Sequence, residues 1–384
     1  VDIPSMYGTY HERKFDALGL SFRIEGLVNV LFETMVDEFD LSLITKATFF
    51  RIYELLLLFG RALKIDGISS VEYDKQLDFL SHSLELRGFS FTQYLDVFKG
   101  FSQAVRNIIN DYFNNIHEEN LSRILARIPL AHILPKYVPA GSQMERERLV
   151  HRISEMFFRD QMAGSLGLKQ MDLFLSRILN VLFKQSDQLP KEKLQLLLNY
   201  DPKRAMTPID EPNKLMSRII YLGAKGYHIV ELQRFGLPVP PGFIITTEVF
   251  RSREIVEGYR PAEDNFREQL AKNIADIEKR SGKRLGDPLN ALLVSVRSGS
   301  TISQPGMMDS FLDVGLNEEI AAGIAAKTGN DWFAWDNYRR FLQCYGMSFG
   351  LTRDDFDAIM TDFKKRLGVA FKRGMSGAQM REMA

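Results

Sequence analysis

The chain has 384 residues, enough for two or three domains at roughly 100–200 residues per domain. Its 49 basic and 49 acidic residues cancel, which argues against a nucleic-acid or anionic-membrane binder, and 45% hydrophobic residues can fill more than one core. One cysteine, Cys344, excludes an internal disulfide framework and a multi-cysteine metal site; a reducing compartment fits, and cytoplasmic localisation is expected.

The chain opens at Val1 with no basic-then-apolar leader, so no signal peptide is read there. From about Phe15 to Tyr200 the pattern is helical. Leu27, Leu31 and Met35 recur at four-residue spacing, as do Phe50, Glu54 and Leu58. Tyr94, Val97, Phe98, Phe101, Val105, Ile108, Ile109 and Tyr112 form a longer apolar stripe. Breaks fall at Asp66-Gly67, Gly88, Pro129 to Gly141 and Pro190, and nothing repeats at a fixed period. Residues 1–200 therefore read as an irregular all-α bundle of six or seven helices. The longest apolar run, around Leu55–Phe59, falls far short of the ~20 residues that cross a bilayer, so no membrane partner is expected.

A segment from about Ser186 to Asn213, rich in Pro, Lys, Asp and Gln, reads as a boundary. Beyond it, strand and helix signals mix. Gly242 to Thr247, Leu292 to Val296 and Phe311 to Val314 are short strand-like runs, the second resembling a buried strand. Helices are expected at about 226–235, ended by Gly236, and at about 262–281, 331–347 and 353–367. The fold class is thus α+β, with a second domain over 213–384. Ser376 and Gln379 make a capping-box pattern, yet the helix it starts stops at Ala384, so the sequence reads as a piece of a longer protein.

Two clusters could carry chemistry. In Leu222-Gly-Ala-Lys225-Gly-Tyr-His228, two glycines permit a tight turn and Lys225 sits at a helix start, where amides and the macrodipole already favour an anion. A solvated lysine on a loop explains the same residues. In the second cluster Arg297 ends a strand, and its planar fork suits phosphate oxygens. Ser298, Gly299, Ser300, Thr301 and Ser303 follow with donors and room for close approach. Pro305-Gly306 then turns the chain so that Met307 and Met308 could cover a ligand. A polar hairpin whose arginine pairs with a nearby carboxylate fits equally.

Other patterns point away from familiar sites. No G-x-x-x-x-G-K-[ST], G-x-G-x-x-G or H-E-x-x-H occurs, and the six histidines are scattered, so no metal ligand is assigned. His228 reads as a surface or capping group and Cys344 as a packed thiol. Asp309 could touch magnesium or cap a turn. Trp332, Trp335 and Phe341 read as core, and Lys364 to Arg366 as a solvated helix end.

At these residues the sequence resembles a known family. "LGAKGYHIVELQRFGLPVPPGFIITTEVF" is similar to the start of pyruvate, phosphate dikinase, with its Gly-Lys-Gly turn and Gly-Leu-Pro-Val-Pro-Pro-Gly-Phe. "LLVSVRSGSTISQPGMMDSFLDVGLN" resembles the same family's Val-Arg-Ser-Gly loop and Pro-Gly-Met-Met-Asp, and "WDNYRRFLQCYG" the helix that follows. The motifs run in order from about residue 213. Phosphoenolpyruvate synthase, rifampicin phosphotransferase and glucan water dikinases share the domain, but tend to carry Arg-Ser-Ser and Ser-Phe-Ala-Gly-Gln instead.

The resemblance implies the N-terminal lobe of an ATP-grasp domain with a small mixed or antiparallel sheet. It also implies ATP and Mg2+ as cofactors, and transfer of a phosphoryl group to a histidine and then to pyruvate, giving phosphoenolpyruvate. The family's phosphate-contacting lysine falls on Lys225 and its nucleotide-phosphate arginine, the catalytic one, on Arg297. Its closing loop falls on Ser298, Gly299, Ser300, Thr301, Gly306, Met307 and Asp309. Departures are clear as well. Gln304 stands where methionine is usual. The family's magnesium carboxylates, Thr-Ser-His acceptor and pyruvate-binding barrel find no counterpart in this sequence. The chain alone is therefore expected to be inactive and to bind ATP weakly. Residues 1–200 match nothing in the well-known dikinases, and docking of another domain or protein, or homodimer formation, is open to them. A regulatory module with a degenerate nucleotide lobe, or a dikinase with another acceptor, is the alternative.

Overall fold

A computed structural model describes the chain except for residues 1, 6–7, 66, 87, 126, 128–147, 149–151, 154–155, 157–166, 213, 215 and 301–309. It divides into two units, Val1–Asp201 and Pro202–Ala384.

The first unit begins with an antiparallel hairpin, β1 (Asp2–Ser5) and β2 (Gly8–His11), ahead of its helices. These include α1 (Arg13–Asp37), α2 (Lys46–Ile65), α3 (Val71–Glu85), α4 (Phe91–Leu125), α5 (Leu168–Gln188) and α6 (Lys191–Asn199). Ser70 caps α3 by accepting from the Tyr73 amide at 3.2 Å, satisfying one of the donors a helix start leaves over. The Tyr73 hydroxyl donates to the Leu56 carbonyl at 2.8 Å, tying α3 to α2. Phe49 of α2 stacks on Tyr94 and Phe98 of α4, with centroids 4.3 and 5.3 Å apart. The stripe expected on α4 is the buried one, from Tyr94 through Phe98, Phe101 and Val105 to Ile109.

Two other expected stripes face outward. Leu27, Leu31 and Met35 on α1 are 46% to 61% exposed, and Phe50 and Leu58 on α2 are 48% and 50% exposed. The buried face of α2 is instead Phe49, Ile52, Leu56, Phe59 and Leu63. That helix is apolar on two sides, so spacing alone does not choose between them. The aromatic residues of α3 and α4 do.

Among its described residues the second unit holds two separate two-stranded antiparallel sheets. β3 (Met206–Pro208) pairs with β4 (Phe243–Ile245), Thr207 opposite Ile244, so this unit starts before residue 213. β5 (Val294–Arg297) pairs with β6 (Ser310–Val314), with a register shift between Val294 and Val296. The helices are α7 (Ile219–Arg234), α8 (Thr247–Arg251), α9 (Arg253–Gly258), α10 (Arg260–Ser281), α11 (Glu318–Thr328), α12 (Asp331–Ser348), α13 (Arg353–Leu367) and α14 (Gly377–Met383). An α+β architecture is thus present. The β5 strand is not the buried one expected: Val296, and Leu312 on β6, are 50% and 51% exposed, because among the described residues this sheet has two strands and α12 lies on one side of it.

The core of this unit gathers Leu316, Ile320, Trp335, Met375 and Met380, with Trp332 and Phe341 packed against it. The expected capping box at Ser376 and Gln379 is formed, and it starts α14, whose Met380 is fully buried. Cys344 is exposed rather than packed. It lies nine residues beyond buried Trp335, which at about 100° per residue puts it half a turn away from the core face. Lys365 and Arg366 are exposed at the end of α13, as expected of a solvated helix end, and Arg366 also pairs with Glu382 at 2.7 Å.

Candidate functional site

The helix α7 is two helical segments joined at Gly223, whose φ of 68° and ψ of 168° are open essentially to glycine alone. A new helix start therefore falls at Ala224, and Lys225 is its second residue. Gly226, one residue on, lets β4 lie close: a Cβ there would meet Ile244 Cδ1 at 3.0 Å. The Thr247 hydroxyl donates to the Ile220 carbonyl at 2.7 Å, fixing the segment ahead of the break against the start of α8.

The strand β5 delivers Arg297 at its end, in register with Ser310. Directly after it, Ser298, Gly299 and Ser300 run beside the new helix start. The Ala224 amide donates to the Ser300 carbonyl at 2.7 Å. The Lys225 stem passes Gly299, with its Cβ 3.6 Å from where a Gly299 Cβ would stand. Two clusters about seventy residues apart in sequence thus meet in space, within one unit.

Lys225 and Arg297 are exposed, and neither forms an ion pair with a described residue. Among the described residues, then, Arg297 has no carboxylate partner of the kind the hairpin alternative requires. His228 is exposed one turn along, its ring 5.7 Å from that of Tyr227. Thr301, Gly306, Met307 and Asp309 lie outside the described residues. Among the described residues no group of three or more His, Cys, Asp or Glu could hold a metal ion.

The same unit contains a charged cluster that the sequence reading does not single out. The Asp336 carboxylate, buried, accepts from Arg339 Nε at 3.0 Å, Arg340 Nε at 3.0 Å and Lys372 Nζ at 2.9 Å. Burial alone would push Asp336 up, but the hydrogen bonds and charges of Lys372 and Arg339 outweigh it and hold the carboxyl below its ordinary value. Its signal was present in sequence as an Asp followed by Arg at i+3 and i+4.

A stretch of 166 residues, 42% of this chain, is 42% identical to a protein of Giardia intestinalis. That relative is a pyruvate, phosphate dikinase. The chloroplastic pyruvate, phosphate dikinase of Mesembryanthemum crystallinum is 39% identical over 174 residues, 45% of this chain. The pyruvate, phosphate dikinase of Clostridium symbiosum is 37% identical over 176 residues, 46% of this chain. The chain spans about a fifth of these dikinases: the matched stretches cover 18%, 18% and 20% of their lengths. No protein-family model matches the chain.

Proposed function

We propose that the Lys225 turn and the Arg297 loop form the phosphate-binding face of an ATP site, in a phosphotransferase like pyruvate, phosphate dikinase. One observation carries the reading: the Ala224 amide bonds the Ser300 carbonyl at 2.7 Å, joining a helix start with a lysine to a loop led by an arginine. Each cation is exposed and without an ion pair among the described residues, as a site awaiting an anion requires. The dikinase relatives supply the chemistry by analogy. ATP would provide the transferable phosphoryl group.

Lys225 acts as a point charge on the phosphate chain, and the Arg297 fork holds phosphate oxygens in a fixed plane. In phosphoryl transfer little covalent work falls to the protein, and placed positive charge lowers the barrier by neutralising what develops on the oxygens. Arg297 is the catalytic residue of the reading. Ser298 and Ser300 line the face with Gly299 between them, and the family resemblance assigns Thr301, Gly306, Met307 and Asp309 to the same loop. In its finer form the reading is an ATP-grasp lobe that serves phosphorylation of a histidine and then of pyruvate, with both acceptors elsewhere in the full-length protein. Magnesium belongs to that form, and no residue of this chain is assigned to it. By itself the chain is expected to transfer no phosphoryl group.

Calorimetric titration tests the site. ATP should bind at about millimolar or tighter, and Lys225→Ala and Arg297→Ala should each weaken it about tenfold or more, as loss of one charged hydrogen bond predicts. Affinity unchanged in both variants would sink the proposal.

A further inference from the structure

We infer that Gly299 is a positioning residue that sets the path of Lys225, an inference that rests on the nucleotide-phosphate reading above. A Cβ at Gly299 would lie 3.6 Å from Lys225 Cβ and 3.9 Å from its Cγ and Cδ. Three successive carbons of the lysine stem therefore run along the bare side of this one residue. The loop cannot simply drift away, because the Ser300 carbonyl, next in the chain, is bonded to the Ala224 amide, next to the lysine. A carbon at Gly223 would in turn meet the Gly299 carbonyl and the Ser300 oxygen, each at 3.5 Å. The loop and the helix start thus interlock over two glycines, with the stem lying across the second of them.

The two glycines do different jobs. Gly223 has a left-handed φ, so its backbone alone calls for glycine. Gly299 is not among the glycines of positive φ, so its backbone conformation is one that other residues adopt. What it contributes is space. A methyl group at 3.6 Å is ordinary packing and fits beside the stem. A β-branched side chain adds two γ atoms, with few χ1 choices by which to avoid the lysine. The stem is then displaced while Arg297, held by the β5–β6 pairing, stays where it is.

The gain is preorganisation. A lysine carries many rotamers, and a stem that already lies along the Gly299 side of the loop loses less freedom when its ammonium meets an anion. Gly299 acts only through Lys225, so the two should behave as one unit in a double-substitution comparison.

The test is ATP titration of Gly299→Ala, Gly299→Val, Lys225→Ala and the double variant Gly299→Val/Lys225→Ala, with circular dichroism and thermal unfolding alongside. ATP affinity should fall in the order of side-chain bulk, Gly299→Ala losing less than Gly299→Val, while Gly299→Val and Lys225→Ala each lose about tenfold. The double variant should be no weaker than Lys225→Ala alone, a non-additivity that general damage to the loop would not produce. If Lys225→Ala weakens ATP but Gly299→Val does not, or if their losses add, this inference falls and the site stands. If Lys225→Ala changes nothing, the nucleotide reading falls first. Should Gly299→Val unfold, Gly299→Ser and Gly299→Thr replace it: affinity must then fall in the order Ala, Ser, Thr, and equal affinities overturn the inference.

Discussion

Single residues in the second unit show two opposite uses of charge. Asp336 is buried and saturated by Arg339, Arg340 and Lys372. Lys225 and Arg297 are exposed and form no ion pair with a described residue, so removing either should leave folding nearly untouched. Removing the Asp336 charge should not. Its carboxyl is held below the ordinary value in the folded chain, so its stabilisation is fully present above the unfolded value near ~4 and is lost as pH falls through the lower folded value. Asp336→Asn keeps the shape but leaves Arg339, whose side chain is only 16% exposed, without its counter-charge. A loss on the order of 3 kcal/mol is expected at neutral pH, the cost of breaking a largely buried ion pair. Urea unfolding at several pH values would measure it. The gap between the two proteins should be widest near pH 7 and narrow in acid, and a gap that widens in acid contradicts the assignment.

Elements were legible in sequence where one periodicity dominated. The four-residue rhythm of α2 announces a helix, but Phe49 and Phe50 are neighbours on different faces, and only tertiary packing decides which is buried. Phe49 is fully buried against Tyr94 and Phe98, whereas Phe50 is 48% exposed. Phe49→Ala should therefore cost about 3–5 kcal/mol, and Phe50→Ala under about 1, read from shifts in urea midpoint at constant m-value. Equal costs would mean that the face is wrongly placed. The helix α11 escaped the sequence reading, although Asn317 caps it and Gly329 ends it, because its alanine-rich face gives a weak apolar signal. The candidate site was half legible for a related reason. A Gly-Lys turn and an Arg-Ser-Gly loop are each common as solvated segments. What distinguishes this pair is the bond from Ala224 to Ser300, a tertiary contact that no local pattern encodes.

At the scale of the whole molecule the formal charge is zero, with 49 basic against 49 acidic residues. A neutral protein has no net field with which to draw an anion from a distance, so attraction for ATP must come from the cations at the site itself. Charges in contact with bound phosphates still feel salt, since mobile ions screen exposed pairs within about 10 Å at 0.1 M ionic strength. The salt dependence of ATP binding should then belong to Lys225 and Arg297 together. Raising salt from about 0.05 M to about 0.5 M is expected to weaken binding a few-fold in the unsubstituted chain. In either single variant the slope should shrink, and in Lys225→Ala/Arg297→Ala the remaining weak binding should hardly change. Calorimetry or equilibrium dialysis across the salt series would read these slopes directly. A slope retained in full by the double variant would place the attracting charge elsewhere on the molecule and remove the electrostatic basis of the proposed site.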